Sequence, residues 1–242
     1  MTELKKRYIE AIKIWQRNNP EIDYLQIWKK HNHAEWVEEA TIDQTLWCCD
    51  NACYTTNGVL IMGINPSFNG NKEEKDNSFF NTYNTNHSAY WSTKKNMVEG
   101  LDNSEVAYLD LFPIRMTRQT DFMSDKIIPI SLKVALLEVT ISEIERFAPK
   151  LIINPNMGSR VYWGIKTETP WMGYDMEAIE NPIGKQTHLY RIKGVLDSES
   201  VILPRITKLR EKTLFLLAKY HGNGALKADD FLSIEDIRKV YR

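Results

Sequence analysis

The chain lacks both an excess of charge of one sign and any long apolar run. Lysine and arginine number 31 against 32 aspartates and glutamates, so the formal net charge is −1 over 242 residues. This balance excludes a uniformly basic nucleic-acid coat and an acidic tail, although a local basic groove is compatible with it. No apolar run approaches the roughly 20 residues that a membrane helix needs. The first residues, MTELKKRYIEAIKIW, contain no signal-peptide core. The sequence therefore predicts a soluble, cytoplasmic protein with no membrane partner.

Cysteine is also scarce, and the three that occur crowd together at Cys48, Cys49 and Cys53. An odd number at such short spacing argues against a disulfide framework. His31 and His33 lie upstream and could join the cysteines in a metal site. The spacing matches no zinc ribbon, however, and an iron–sulfur cluster needs a fourth cysteine. We expect structural thiols here, with no metal and no cofactor.

What the chain does contain is a set of apolar runs of strand length. They occur at residues 58–64, 105–112 and 150–154, and such runs are typical of strands buried on both faces of a parallel sheet. Between the second and the third run, an apolar stripe at helical spacing ends at Pro149. Strand, helix and strand form a βαβ unit. We therefore predict an α/β fold, a three-layer α/β/α architecture with a central, mainly parallel sheet.

The remaining segments complete this predicted organisation. Residues 1–57 are predicted to form an N-terminal helical extension packed on the core, residues 58–222 the α/β domain, and residues 223–242 a C-terminal helical tail. Two further strands are expected at 188–194 and 200–204. Residues 206–222 are expected to form a closing helix that ends at glycine.

Polar residues follow several of the predicted strands. In an open α/β sheet, ligands bind beyond the carboxyl ends of the strands. Asparagine, aspartate and proline also occur in ordinary turns, so one polar strand end carries no information. Four polar strand ends at one edge of the sheet favour a ligand pocket. These ends are Asn65-Pro66-Ser67, Asp110, Asn154 and Pro204-Arg205.

The first of these ends carries a motif. Gly63-Ile64-Asn65-Pro66-Ser67 resembles the first active-site motif of the uracil-DNA glycosylase superfamily, in the form found in its mismatch-specific and single-strand-selective monofunctional groups. Residues 86–91 resemble the mismatch-specific group's stretch of histidine, small residues, an aromatic residue and tryptophan. Residues 109–114 resemble the strand end of the single-strand-selective group. The likeness spans roughly residues 58–220.

The resemblance implies a DNA glycosylase that hydrolyses the N-glycosidic bond of an altered or mismatched base. Asn65 matches the asparagine that positions the attacking water, and His87 is the second candidate catalytic residue. Phe68 or Tyr90 is expected to stack on a base extruded from the DNA. The expected base-binding residues are Ile64, Pro66, Ser67, Phe68, Tyr90, Asp110 and Asn154. Pro204, Arg205 and Lys208 are expected to contact the DNA backbone or fill the vacated stack.

The expected site is one cavity, and the protein is expected to act on DNA as a monomer. Asn65 and Asp110 should face each other across this cavity, with Phe68, His87, Tyr90 and Asn154 lining it. Lys94 and Lys95, in a predicted loop, and the basic residues Arg205, Lys208, Arg210 and Lys212, near the start of the predicted closing helix, are either phosphate contacts or a solvated face.

Two departures from the family pattern leave alternatives open. Asp110 stands where uracil-specific members have asparagine, and an ionised carboxylate only accepts hydrogen bonds. At the closing motif, Leu203-Pro204-Arg205 contains no histidine. A catalytically impaired module that binds nucleic acid or a nucleobase is therefore the alternative reading of the same scaffold. A hydrolase of free nucleosides is a third.

Overall fold

The structure, a computed structural model, describes residues 1–55, 57–72, 78–79, 81–82, 89–165, 171–196, 207–219 and 231–241. The chain forms two compact units. Unit 1 comprises Met1–Asp50, Ile64–Asn77 and Asp110–Thr140, and unit 2 comprises Asn51–Gly63, Ser78–Leu109 and Ile141–Arg242. The described residues form a mixed α/β fold with one six-stranded sheet and six α-helices.

The three apolar runs form strands, as predicted. They are β1 (Val59–Gly63), β2 (Val106–Asp110) and β3 (Leu151–Asn154), and every residue in them is buried. Their continuous hydrophobicity matches burial on both faces of a sheet. Gly58, just before β1, is required by close packing, because a Cβ there would lie 2.1 Å from the carbonyl oxygen of Glu105.

The sheet has the strand order β2-β1-β3-β6-β5-β4 and is mostly parallel. Its other strands are β4 (Tyr174–Ala178), β5 (Thr187–Val195) and β6 (Leu214–Ala218). β3 pairs in parallel with both β1 and β6. β5 runs antiparallel to β6 and to β4, so an antiparallel hairpin forms one side of the sheet.

The predicted closing helix is wrong, because β6 occupies residues 214–218 of that segment. The run LFLLA is short, wholly apolar and buried between β3 and β5. Leucine has a high helix propensity, but burial between two strands outweighs that local preference. The predicted strand at 188–194 is confirmed as β5. The strand predicted at 200–204 lies outside the described residues.

The first two helices of unit 1 begin at residues whose side chains cap them. α1 (Glu3–Asn18) is capped by the hydroxyl of Thr2, and α2 (Tyr24–His31) by the carboxylate of Asp23. Two short 3₁₀ helices follow at Val37–Glu39 and Ile42–Thr45. The fourth α-helix of the chain, α4, spans Gln119–Met123.

Long-range side-chain hydrogen bonds hold the N-terminal helices within unit 1. The hydroxyls of Tyr8 and Thr140 are 2.8 Å apart, and the indole of Trp28 donates to the carbonyl of Arg115 at 2.7 Å. Trp28 is fully buried. The tryptophan-rich N-terminal helices therefore pack on the segment that follows β2, within the same unit.

The remaining helices lie partly or wholly in unit 2. They are α3 (Ala89–Val98), α5 (Ile130–Phe147) and α6 (Ile234–Arg238), together with a 3₁₀ helix at Met157–Val161. α5 is the predicted crossover helix between β2 and β3. No helix among the described residues is both long enough and apolar enough to span a membrane.

Candidate functional site

The segment that follows β1 continues as an extended chain in unit 1, beside the segment that follows β2. The N–H of Phe112 donates to the carbonyl of Ile64 at 2.9 Å, and the N–H of Met116 donates to the carbonyl of Pro66 at 3.1 Å. Ser67 and Met116 form a parallel bridge. The carbonyls of Ile64 and Pro66 thus accept hydrogen bonds from the protein's own backbone, and Ser67 is exposed. The motif therefore lies in the segment that follows β1 and is hydrogen-bonded to the segment that follows β2.

Asn65 is held in a fixed orientation by this segment. Its side-chain Nδ2 donates to the carbonyl of Pro66 at 3.2 Å and to the carbonyl of Ile114 at 3.3 Å. Its Oδ1 is buried, and no described residue donates a hydrogen bond to it. Because two bonds fix the amide plane, Oδ1 is presented as an acceptor in a defined direction. A buried acceptor without a partner in the protein indicates a place for a water or a ligand.

Phe68 packs inside an aromatic cluster of unit 1. Its ring lies 5.2 Å from that of Trp28 in an edge-on arrangement and 5.7 Å from that of Trp36. The guanidinium of Arg115 lies 5.2 Å from the ring centroid, and Phe68 is only 6% exposed. Stacking of an extruded base on Phe68 would require this cluster to open. The role of Phe68 is therefore to anchor the motif segment, and base stacking by this ring stays a prediction.

Asp110 is the last residue of β2 and is 6% exposed. A carboxyl group at the carboxyl end of a strand matches the predicted position. The prediction that Asp110 and Asn65 face each other across one cavity stays a prediction.

Asn154 ends the central strand β3 and is fully buried. Neither its Nδ2 nor its Oδ1 has a hydrogen-bond partner among the described residues. Within unit 2, β3 lies between β1 and β6, and Asn154 is in register with Leu217 of β6. In the sheet, β2 lies on one side of β1 and β3 lies on the other, so the chain crosses over β1 between β2 and β3. Asn154 therefore lies at a topological switch point, where open α/β sheets bind ligands.

Tyr90 lies on α3 and is in contact with a buried lysine. The Nζ of Lys94 lies 3.0 Å from the centroid of the Tyr90 ring, and the hydroxyls of Tyr90 and Tyr108 are 2.7 Å apart. Lys94 is 2% exposed and is also within 6 Å of the rings of Trp91 and Tyr108. Placing Lys94 and Lys95 in a loop is wrong, because both belong to α3. Burial also removes Lys94 as a surface phosphate contact.

The sequence contains a signal for this lysine–aromatic contact. Tyr90 and Lys94 are four residues apart, the spacing at which helical side chains meet on one face. A cation over an aromatic ring is attracted by the negative face of the ring. The spacing would have predicted the contact if residues 89–98 had been identified as a helix.

Lys208 lies at the opposite end of the unit 2 sheet from Asn154. It precedes β6, and its N–H donates to a carboxylate oxygen of Glu145 at 2.8 Å. Because β3 and β6 are parallel, the loop that enters β6 and the residue that ends β3 lie at different edges. The structure therefore does not bring Lys208 and Asn154 together. His87, Pro204 and Arg205 lie outside the described residues.

Glu145 has enough hydrogen bonds to be a structural carboxylate. It accepts from the hydroxyl of Tyr174 at 3.0 Å and from that of Thr207 at 2.5 Å, in addition to the N–H of Lys208. Burial raises the pKa of Tyr174 well above its ordinary value, and the charge of Glu145 raises it further. Tyr174 consequently stays protonated and acts as a donor that holds Glu145 in place.

The thiols and histidines upstream of β1 lie in different environments. Cys48 and Cys49 are buried, whereas Cys53 is exposed. The Nδ1 of His31 lies 3.3 Å from a carboxylate oxygen of Asp121. Among the residues that the structure describes, no three histidine, cysteine or acidic side chains are grouped so as to hold a metal ion.

Comparison with known proteins adds no family to this picture. No protein-family model matches the chain, and no curated protein matches it. The fold defines the class of protein as α/β with a mostly parallel sheet. The glycosylase resemblance continues to rest on the sequence motifs at residues 63–67, 86–91 and 109–114.

Proposed function

We propose that this chain is a DNA base-excision N-glycosylase that hydrolyses the N-glycosidic bond of an altered or mismatched base. The observation that carries the proposal is the arrangement of Asn65. Its Nδ2 is occupied by the carbonyls of Pro66 and Ile114, and its buried Oδ1 has no partner among the described residues. That is the arrangement needed to orient one water molecule.

The proposed step is a hydrolysis, and it requires no cofactor. The Oδ1 of Asn65 accepts a hydrogen bond from water and directs the water oxygen at the sugar carbon that bears the base. The new carbon–oxygen bond replaces the carbon–nitrogen bond, whose electron pair leaves with the base. The proton that the water gives up passes through the solvent to the departing base anion, which is released as the neutral base. An amide cannot take that proton at neutral pH. Stabilisation of the departing base must therefore supply most of the rate enhancement.

Asp110 and Asn154 are the proposed base-contacting groups. Asp110 is a nearly buried carboxyl at the end of β2, and an ionised carboxylate accepts hydrogen bonds from N–H groups. Asn154 offers one acceptor and two donor hydrogens, none paired with a described residue. The edge of a nucleobase carries matching donors and acceptors. The carboxylate of Asp110 favours a base with an N–H donor edge over uracil.

The proposal includes further features of the resemblance. The substrate is DNA with the target base extruded from the stack, since the reacting carbon is unreachable in a stacked duplex. Tyr90 is the proposed stacking residue. His87, Pro204 and Arg205 keep their expected roles, whereas Lys208 has none in this proposal because it lies at the opposite end of the sheet from Asn154. The three-layer architecture with an N-terminal helical extension at residues 1–57 belongs to the same proposal, as does a cytoplasmic monomer.

Excision of damaged bases by the full chain tests this proposal. Oligonucleotides containing uracil, hypoxanthine, xanthine or mismatched thymine are incubated with the protein, and abasic sites are counted by strand cleavage after alkali. We expect excision of at least one base, and Asn65→Ala should reduce its single-turnover rate by about 10²-fold, because the group that positions the water is lost. The exposed Asn103→Ala is the matched control and should retain the full rate.

Equal excision by the wild type and Asn65→Ala would contradict the proposed role of Asn65. No excision of any base, with folding verified by circular dichroism, would contradict the enzymatic proposal. A second candidate function then remains, a nucleic-acid or nucleobase binding module. Its specific support is the closing motif Leu203-Pro204-Arg205, which has no histidine to stabilise the departing base. Salt-sensitive retention of labelled DNA without excision would establish that alternative.

A further inference from the structure

A cavity of about 490 Å³ lies in unit 2, at the edge of the sheet where β3 and β6 begin. Ala148 precedes β3, and Thr213 immediately precedes β6. The basic side chains at the cavity are Lys208, Arg210 and Lys212, which line it together with Thr207, Thr213 and Ala148. The cavity is within the range of about 300–1,000 Å³ that small-molecule ligands occupy. Neither Asn65 nor Asn154 is among its lining residues.

The loop that carries the three cations is fixed by its own hydrogen bonds. The N–H of Leu209 donates to the hydroxyl of Thr207 at 3.0 Å, and the N–H groups of Lys212 and Thr213 both donate to the carbonyl of Leu209 at 3.1 Å. Leu209 is fully buried and anchors the loop. The hydroxyl of Thr213 donates to the carbonyl of Pro149 at 2.5 Å. The backbone of the loop is therefore ordered before any ligand binds, which lowers the entropic cost of binding.

Two acidic side chains near the loop, Glu145 and Glu211, offset part of the charge of its three cations. Glu145 is nearly buried, and its carboxylate is engaged by Tyr174, Thr207 and the backbone of Lys208. Glu211 lies 3.7 Å from the Nε of Arg210, but both side chains are about 70% exposed. Such a solvated pair is weak. No acidic side chain lines the cavity among the described residues.

Three non-glycine residues at this edge of the sheet adopt left-handed backbone conformations. They are Asn57, with φ of 71°, Ala148, with φ of 43°, and Glu211, with φ of 58°. Alanine and glutamate rarely adopt this conformation, and such strain is concentrated at functional sites. The N–H of Asn57 donates to the carbonyl of Ala148 at 3.2 Å, which gives one carbonyl at the end of α5 a hydrogen-bond partner.

We propose that this cavity is an anion site for phosphate esters, separate from the switch-point end of the sheet. Three cations on a fixed loop match a ligand with two or more negative charges, and the volume accommodates a mononucleotide. The phosphates could belong to a nucleoside polyphosphate or to the end of a nucleic-acid strand, and the experiment separates these two sources. The proposal does not rest on the glycosylase function.

Binding of defined phosphate probes to the full chain tests the proposal. The probes are inorganic pyrophosphate, ATP and a 5′-phosphorylated eight-nucleotide single strand, measured by calorimetry at 50 mM salt. The triple variant Lys208→Ala/Arg210→Ala/Lys212→Ala should raise the dissociation constant at least tenfold. The charge-matched control is Lys6→Ala/Lys13→Ala/Arg17→Ala on exposed positions of α1, which should change it less than twofold.

The outcomes either identify the source of the phosphate or overturn the proposal. Tighter binding of ATP than of the oligonucleotide identifies a nucleoside polyphosphate site. Tighter binding of the oligonucleotide identifies a nucleic-acid contact, and its affinity should fall with salt with a logarithmic slope of about −2 for three phosphate contacts. Equal weakening in both triple variants, or no binding of any probe at millimolar concentration, would overturn the proposal. Because excision is not measured, failure here leaves the proposed glycosylase function untouched.

Discussion

Two fully buried asparagines of this chain have opposite hydrogen-bond environments. Asn32 donates through Nδ2 to the carbonyl of Trp28 at 2.8 Å, and its Oδ1 accepts from the N–H and hydroxyl of Thr117 at 2.9 Å and 3.1 Å. Asn154 makes no such bond with any described residue. A buried polar group without a partner costs about 1–3 kcal/mol. Asn154 is therefore expected to reduce stability for the benefit of ligand binding.

Replacing each of these two asparagines by leucine separates the structural amide from the functional one. Asn154→Leu should raise the free energy of unfolding by about 1–2 kcal/mol, because it removes an unpaired buried amide. Asn32→Leu should lower it by about 1–3 kcal/mol, because the groups bonded to Asn32 lose their partner. Urea denaturation measures both. A loss in Asn154→Leu as large as that in Asn32→Leu would mean that Asn154 has a structural role.

Asp110 sets the expected base preference of the proposed enzyme. Its carboxylate accepts hydrogen bonds, whereas uracil presents both a donor at N3 and an acceptor at O4. Asp110→Asn supplies the missing donor, so the ratio of uracil excision to excision of the wild type's best base should rise by about 10–100-fold. Competition assays with two labelled oligonucleotides measure the ratio. An unchanged ratio would remove Asp110 from the base site.

At the scale of elements, one ion-pair network fixes the short C-terminal helix α6. Ser233 and Asp236 form a reciprocal cap at its start, and the Nζ of Lys185 lies 2.6 Å from a carboxylate oxygen of Asp236. Lys185 also donates to the carbonyl of Phe231 at 3.1 Å. Lys185 is in the turn between β4 and β5 and has a φ of 45°. A helix of five residues is marginal alone, so these contacts determine whether α6 forms.

The network predicts a pH dependence of stability. Burial opposes ionisation of Asp236, but hydrogen bonds from Lys185, Ser233 and Lys239 outweigh it and hold its pKa at about 2. Since the pKa is lower in the folded state than the ordinary 3.8, the ionised carboxylate stabilises the fold above pH 4. This contribution is lost as the pH falls from about 4 to about 2.

Asp236→Asn should therefore destabilise the protein by about 1–3 kcal/mol at pH 7, with the difference shrinking below pH 4. Urea denaturation at pH 7, 4 and 3 measures this, with the exposed Glu10→Gln as the control. A difference between Asp236→Asn and the wild type that stays constant over this range would contradict the ionised network.

In the elements that were predicted correctly from the sequence, the local pattern of apolar residues matches the faces that are buried in the fold. β1, β2 and β3 are wholly apolar strands, and α5 has its apolar stripe on one face. β6 was mistaken for helix because leucine and lysine favour helices, whereas its pairing with β3 and β5 is a long-range effect. The strand β4 was missed because an edge strand that alternates apolar and polar residues gives a weak signal over five positions.

The candidate site was predictable only as a set of residues at strand ends. The sequence placed Asp110 and Asn154 at the ends of their strands because those strands are apolar up to these residues. It could not predict that the amide of Asn65 is fixed by the carbonyl of Ile114, or that Phe68 packs against Trp28. Both contacts join residues more than 35 positions apart, and no local pattern encodes them.

At the scale of the whole molecule, a nearly neutral chain carries a local concentration of positive charge. The net charge is −1, yet three cations line one cavity of unit 2. Within that unit, the cavity and Asn154 lie at opposite edges of the sheet. A variant at one end of the sheet can therefore serve as a control for ligand binding at the other end. Asn154→Leu should leave phosphate binding unchanged, as a test of that independence.

The most direct test of whether this chain binds a nucleobase is a nuclear magnetic resonance titration that follows the side-chain amide of Asn154. The side-chain amide signals of Asn154 and Asn32 in ¹⁵N-labelled protein are assigned from their loss in the two leucine variants. Hypoxanthine, xanthine, cytosine and uracil are then added as free bases. We expect a saturable shift of the Asn154 signals with at least one base and no shift of the Asn32 signals. Asn154 signals that do not respond to any base would contradict it.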